Sequence, residues 1–114
     1  MTRNDTQRFQ DILRAIEKCG RYLERTSIAN DAELTEIIED AIERNLQIIG
    51  EAASRLSPTV TEAHPEIPWA AIKGFRNIMV HEYFGVDIRI IQDVVENYLP
   101  QLKQAISDCS ILKQ

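Results

Sequence analysis

Apolar residues recur along most of this 114-residue chain at intervals of three and four, the period of an amphipathic helix. Phe9, Ile12, Ile16, Cys19 and Leu23 form one narrow stripe, which predicts a helix over roughly residues 5–25. Thr26 to Asn30 reads as a connection. Asn30 followed by Glu33 resembles a capping arrangement and predicts a second helix from about Asp31 to Leu56. Its apolar face is wide, taking in Leu34, Ile37, Ile38, Ala41, Ile42, Leu46, Ile48, Ile49, Ala52, Ala53 and Leu56. Such a face serves two neighbours, either two helices of a bundle or one helix and a second protomer. Asn45 and Gly50 interrupt it. A glycine in a helix interior costs about 1 kcal/mol relative to alanine, and close approach of another helix is its expected compensation.

Ser57-Pro58 reads as a cap followed by proline at the first helical position, opening a short turn to about Ala63. His64-Pro65-Glu66-Ile67-Pro68 is irregular, because each proline pushes its predecessor away from helical angles. Pro68 then opens a helix of roughly 68–84, with Gly85 suited to its end. Asp87 suits the next N-cap, and Val86 and Ile91 are placed as a hydrophobic staple across it. In the last helix Ile88, Ile91, Val95, Tyr98, Leu102, Ala105, Cys109 and Leu112 keep the period unbroken, while Pro100 inside it predicts a kink. No strand-like alternation and no internal repeat occurs. The expected fold is all-α, an antiparallel up-and-down bundle of four long helices plus a short one, with residues 1–114 forming a single domain.

Composition adds bounds. Apolar residues make up 44% of the chain and charged residues 27%, as in a folded domain. No apolar run approaches the roughly 18–20 residues that span a bilayer. The polar start, Met1 to Asp5, lacks a signal-peptide segment, so a cytoplasmic location is expected. Cys19 and Cys109 lie within apolar patterns and read as buried free thiols. The net charge of −5 opposes nucleic-acid binding as a property of the whole surface. A small basic site is still open to it, since phosphate contacts depend on local charge. Lys73, Arg76 and Arg89 surround one segment, together with Glu82 and Asp87, and a dimer would double the local cations.

That segment, Phe75-Arg76-Asn77-Ile78-Met79-Val80-His81-Glu82-Tyr83-Phe84, carries the candidate chemistry. On a helix turning about 100° per residue, Arg76 and Tyr83 project within about 20° of each other, and Asn77 neighbours His81 at i, i+4. The projection places Ile72, Phe75, Met79 and Ile78 toward the bundle and the polar residues outward, with Arg76 and His81 flanking one groove. By spacing alone these are equally the residues of a solvated helix face, and Lys73 and Arg89 read as surface charges. His64 and His81 provide no spaced cluster for zinc. The acidic run Glu33, Glu36, Glu39, Asp40 and Glu43 spreads over several helix faces and reads as solvated. Phosphate-binding glycine loops, nucleophile elbows and Cys-x-x-Cys pairs are absent. Trp69 and Phe75 read as core or interface.

Arg76-Asn77-x-x-x-His81-x-Tyr83 resembles the Arg-x4-His-x-Tyr signature of HepT-like proteins of the HEPN superfamily. Residues Glu43 to Ala53 are similar to that family's second-helix segment, Pro65 to Trp69 to its lead-in, and His81 to Asp87 to its helix exit. The resemblance implies a bundle that forms a homodimer, with two motifs across a shared cleft. It implies a metal-independent endoribonuclease without cofactors, the toxin of a type VII toxin–antitoxin pair. The implied partner is an MntA-type nucleotidyltransferase antitoxin that transfers AMP from ATP to the motif tyrosine, here Tyr83.

The chemistry of the residues agrees with that implication. RNA cleavage without a metal needs a base for the 2′-hydroxyl, an acid for the leaving oxygen and positive charge at the phosphate. Histidine, with an unperturbed pKa of about 6.5, serves either proton step, so His81 is the acid–base candidate. Arg76 offers paired donors to phosphate oxygens, Lys73 is a further phosphate-binding candidate, and Asn77 supports His81 or the phosphate. AMP on Tyr83 would add bulk and negative charge and compete with RNA for Arg76. Two other readings stand beside this one. The net charge of −5 suits a non-catalytic module that docks a nucleotidyltransferase or a nucleotide. A purely structural dimeric bundle would make the signature a coincidence.

Overall fold

The structure, a computed structural model, describes residues 4–26, 28, 30–81 and 92–109, and for 76–81 the backbone alone. Helices account for the regular structure, and the described residues contain no strand. Helix α1 runs Asp5–Thr26, α2 Ala32–Ser54, α3 Pro58–Ala63 and α4 Trp69–His81. A π-helical turn, Val94–Tyr98, leads into α5, Leu99–Ser107.

Local chemistry explains where these helices start. Asn4 and Gln7 cap α1 reciprocally: the Gln7 backbone N–H donates to Asn4 Oδ1 at 2.8 Å, and the Asn4 N–H to Gln7 Oε1 at 2.9 Å, a capping box built from amides. The cap of α2 is Asp31 rather than the expected Asn30. Its extended backbone and its carboxylate, accepting from the Glu33 N–H at 2.9 Å, meet the first orphan donors of the helix. Ser57 precedes Pro58 as expected but makes no side-chain cap. Its N–H and Oγ instead donate to the two carboxylate oxygens of Asp5, at 3.0 and 2.7 Å. This tie closes the end of the bundle where α1 begins and α2 finishes. Asp5→Ala should cost about 1–3 kcal/mol by orphaning both donors, seen as a lower urea midpoint with an unchanged slope.

The path through the core is up and down. Helix α2 packs against α1 and against α4, so its wide apolar face serves two helices of the same bundle. Ile42, Leu46, Ile49, Ala52 and Ala53 are buried there. Toward its start the same face is uncovered, with Leu34 45% and Ile37 57% exposed. Gly50 is buried. Asn45, 7% exposed, donates from Nδ2 to the Ala41 carbonyl of its own helix at 2.8 Å. The Phe9 and Trp69 rings meet at 6.2 Å, which places the starts of α1 and α4 at one end. The chain segment 94–107 returns the other way: Val95 and Leu23 line one surface hollow, and Leu102 and Pro68 line another.

Pro100 sits just after the π-helical turn. The Leu99 N–H bonds the Val94 carbonyl, five residues back. A π-turn widens the helix where proline lacks its N–H and its ring would strike the preceding turn, so the expected irregularity takes this form. Cys19 and Cys109 are free and buried, as the pattern predicts. Burial pushes the Cys19 thiol up to about 12, leaving it neutral and inert.

Candidate active site

Helix α4 is fixed at its start by Trp69. Its indole N–H is shared between the carbonyls of Thr61, at 3.1 Å, and His64, at 3.0 Å, which fastens α3 and the proline-rich turn to α4. His64 Nδ1 lies 3.4 Å from Glu66 Oε1, within that turn. One turn into α4, Ile72 is fully buried and Phe75 is 8% exposed. The Phe75 ring meets Tyr98 edge-on at 5.8 Å. These contacts set the rotation of α4 and hence the direction of every later position on it.

Arg76, Asn77 and His81 all fall within α4, so their helical spacing holds. Tyr83 lies outside the described residues, as do Gly85, Asp87, Arg89 and the staple pair Val86 and Ile91. Ile72 is buried in the bundle, as its place in the helical projection predicts. Position 76 is i+4 from Ile72 and lies only about 40° around the helix from it. Its place on the helix is thus next to the side of α4 that Ile72 turns into the bundle. Positions 77 and 81 lie on the outer side, in one row with Ala70 and Gly74 at i, i+4, i+7 and i+11. Ala70 is exposed, and a Cβ added at Gly74 would meet nothing within 4 Å. The row is thus low at its start and leads over open ground to the Asn77 and His81 positions. Lys73, exposed, stands on the flank between that row and position 76.

One feature beside Phe75 escaped the sequence. The Tyr98 hydroxyl is buried and has no hydrogen-bond partner among the described residues, and burial raises its phenol pKa. The apolar stripe predicts the ring's inward position, but whether the hydroxyl finds a partner depends on packing. Tyr98→Phe should raise stability by about 1 kcal/mol, because it removes an unsatisfied polar atom; a higher urea midpoint checks it. The acidic run of α2 gathers no cluster able to hold a metal ion among the described residues. There Glu43 has its carboxyl raised by burial and then by Asp40 and Glu39.

The family model described as ribonuclease HepT-like matches residues 12–109. The chain belongs to the HepT-like ribonuclease family. It is 34% identical over 103 residues, 90% of this chain and 93% of the relative, to a Thermococcus cleftensis protein named "Probable ribonuclease HepT". It is 32% identical over 95 residues, 82% of this chain and 85% of the relative, to "Putative RNase TTE0752" of Caldanaerobacter subterraneus subsp. tengcongensis. "Putative RNase MJ1380" of Methanocaldococcus jannaschii matches at 32% over 109 residues, 93% of this chain and 97% of the relative. No solved structure matches the chain significantly. No helix among the described residues is long and apolar enough to cross a membrane.

Proposed function

We propose that this HepT-like protein is a metal-independent endoribonuclease acting as the toxin of a type VII toxin–antitoxin pair. The observation that carries the reading is the family match across residues 12–109, a span that holds the whole Arg76-Asn77-x-x-x-His81-x-Tyr83 signature. In the proposed reaction one His81 takes the proton of a ribose 2′-hydroxyl. The freed oxygen attacks the adjacent phosphorus, and the bond to the 5′-oxygen breaks. A second His81, from the partner protomer, protonates that leaving oxygen. The products are a 2′,3′-cyclic phosphate and a 5′-hydroxyl. Arg76 stabilises the charge on the phosphoryl oxygens, Asn77 supports His81, and Lys73 adds a phosphate contact.

The low start of the row, at Ala70 and Gly74, supports a composite site, since it leaves room beside the Asn77 and His81 positions for a second α4 or a strand of RNA. The proposed control is transfer of AMP from ATP to Tyr83 by an MntA-type nucleotidyltransferase, releasing pyrophosphate. The adduct sets a phosphate against Arg76 and blocks RNA. Total cellular RNA incubated with unmodified protein should be cleaved, and with the AMP-modified protein left intact. Intact mass after co-expression with the nucleotidyltransferase should show the adduct, and Tyr83→Phe should abolish it. If unmodified protein cleaves no RNA, the catalytic reading fails and a docking module for the nucleotidyltransferase replaces it.

A further inference from the structure

We infer that the outer face of α1 is an accessory binding track for the backbone of single-stranded RNA, on a different helix from the motif. The choice of ligand rests on the RNA-cleaving reading above. The chain has net charge −5, yet four of its 13 lysines and arginines, Arg14, Lys18, Arg21 and Arg25, follow one another on α1 at intervals of 4, 3 and 4. That spacing keeps them within about 60° of one another over about 16 Å of helix. The core residues Phe9, Ile12, Ile16 and Cys19 occupy the opposite side. Arg14, Arg21 and Arg25 are exposed and Lys18 is half-buried. Arg21 lies 3.8 Å from Glu17, both side chains being more than 60% exposed, a pairing that competes weakly with a phosphate. Arg14, Lys18 and Arg25 make no ion pair among the described residues.

The row ends on a surface suited to bases. The Arg21 guanidinium sits 6.0 Å from the centre of the Tyr22 ring. Beside them an open hollow of about 550 Å³ is lined by Arg21, Tyr22, Glu24, Arg25 and Ile28. It adjoins a second, of about 350 Å³, that shares Arg25 and Ile28 and continues to Leu34. Ile28 is 69% exposed. A basic row that tracks phosphates, with an aromatic ring and apolar ground on which bases stack, is the composition of a sequence-tolerant single-strand site. The Arg21–Arg25 end lies toward the end of the bundle at which α4 reaches His81, because α1 and α4 run the same way from Phe9 and Trp69. Helix α1 packs on α2 and on the 94–107 segment, with its basic face turned away from them. A dinucleotide carries a single bridging phosphate and is too short to lie along a row of about 16 Å and reach a different helix at once.

The test replaces Arg14, Lys18, Arg21 and Arg25 together by glutamine, all at surface positions, with helical content checked by circular dichroism. Binding of a labelled 20-nucleotide single-stranded RNA is followed by fluorescence anisotropy across a salt series. Affinity should fall by at least roughly tenfold, and the slope of log K against log salt should shrink by about 2 to 3, at about 0.7 for each phosphate no longer neutralised. Tyr22→Ala should also weaken binding, by roughly fivefold or more, and Tyr22→Phe should keep it. Cleavage of the 20-mer should drop in kcat/KM, while cleavage of a dinucleotide does not change. Unchanged affinity and slope in the quadruple variant overturn the inference, including the case where the row instead holds an acidic protein. If wild type binds RNA with this salt dependence but cleaves none, the ribonuclease reading fails and the track stands.

Discussion

His81→Ala should lower RNA cleavage by about 100- to 10,000-fold, the range that a positioned acid or base contributes, with no loss of fold. The expectation follows from position as much as from residue type. His81 falls on the outer row of α4, beyond the buried anchors Ile72 and Phe75. Its replacement should leave thermal unfolding near that of wild type. Cleavage is read on total RNA and on a defined oligonucleotide, with circular dichroism and sedimentation as controls. Arg76→Ala should be similarly inactive, and Arg76→Lys should recover only part, since the charge returns without the paired donors. Position 76 borders the bundle, so stability must be measured beside activity for that residue. If purified His81→Ala cleaves as fast as wild type, the proposed chemistry is wrong.

Phe9→Ala should cost about 3–5 kcal/mol, the usual loss for emptying an aromatic site that cannot collapse. Phe9 is fully buried and its ring meets Trp69 at 6.2 Å, at the junction where α1, α3 and α4 come together. A domain of this size has roughly 6–17 kcal/mol in all, so the variant loses a large share of it. Trp69 is the single tryptophan, and its fluorescence reports this junction directly. Urea unfolding should show a much lower midpoint, and Phe9→Leu should recover most of the loss. A midpoint within about 1 kcal/mol of wild type would mean that the junction is not the keystone the packing makes it.

The helices were legible because their signal is local. The spacing of Phe9, Ile12, Ile16 and Cys19 places α1 within a residue of its observed span, Asp5–Thr26, and the inward side of α1 follows from the same period. The short α3 and the irregular turn before α4 follow from Ser57-Pro58 and the prolines at 65 and 68, which act on their own neighbours. The α2 cap falls one residue beyond the predicted Asn30, because Asn30 and Asp31 are both competent and only the backbone angles choose between them. In the site, the residue types and the i, i+4 relation of Asn77 and His81 could be read from the chain. How deeply Ile72 and Phe75 seat α4 in the bundle could not, since that depends on the faces its neighbours offer.

The sequence by itself thus determined the all-α class, the spans of α1, α2 and α3, the start of α4 and the motif that places the chain among HepT-like ribonucleases. Each of these rests on side-chain period, on capping and proline chemistry, or on residue identity, and all act within a few positions. Only the tertiary structure decided that Ser57 serves Asp5 across 52 residues of chain, and that the wide face of α2 is shared by α1 and α4 with Leu34 and Ile37 left uncovered. It alone decided that the Tyr98 hydroxyl is buried without a partner among the described residues. These depend on which surfaces meet once the helices pack, and no local pattern encodes the neighbour that a helix face will find.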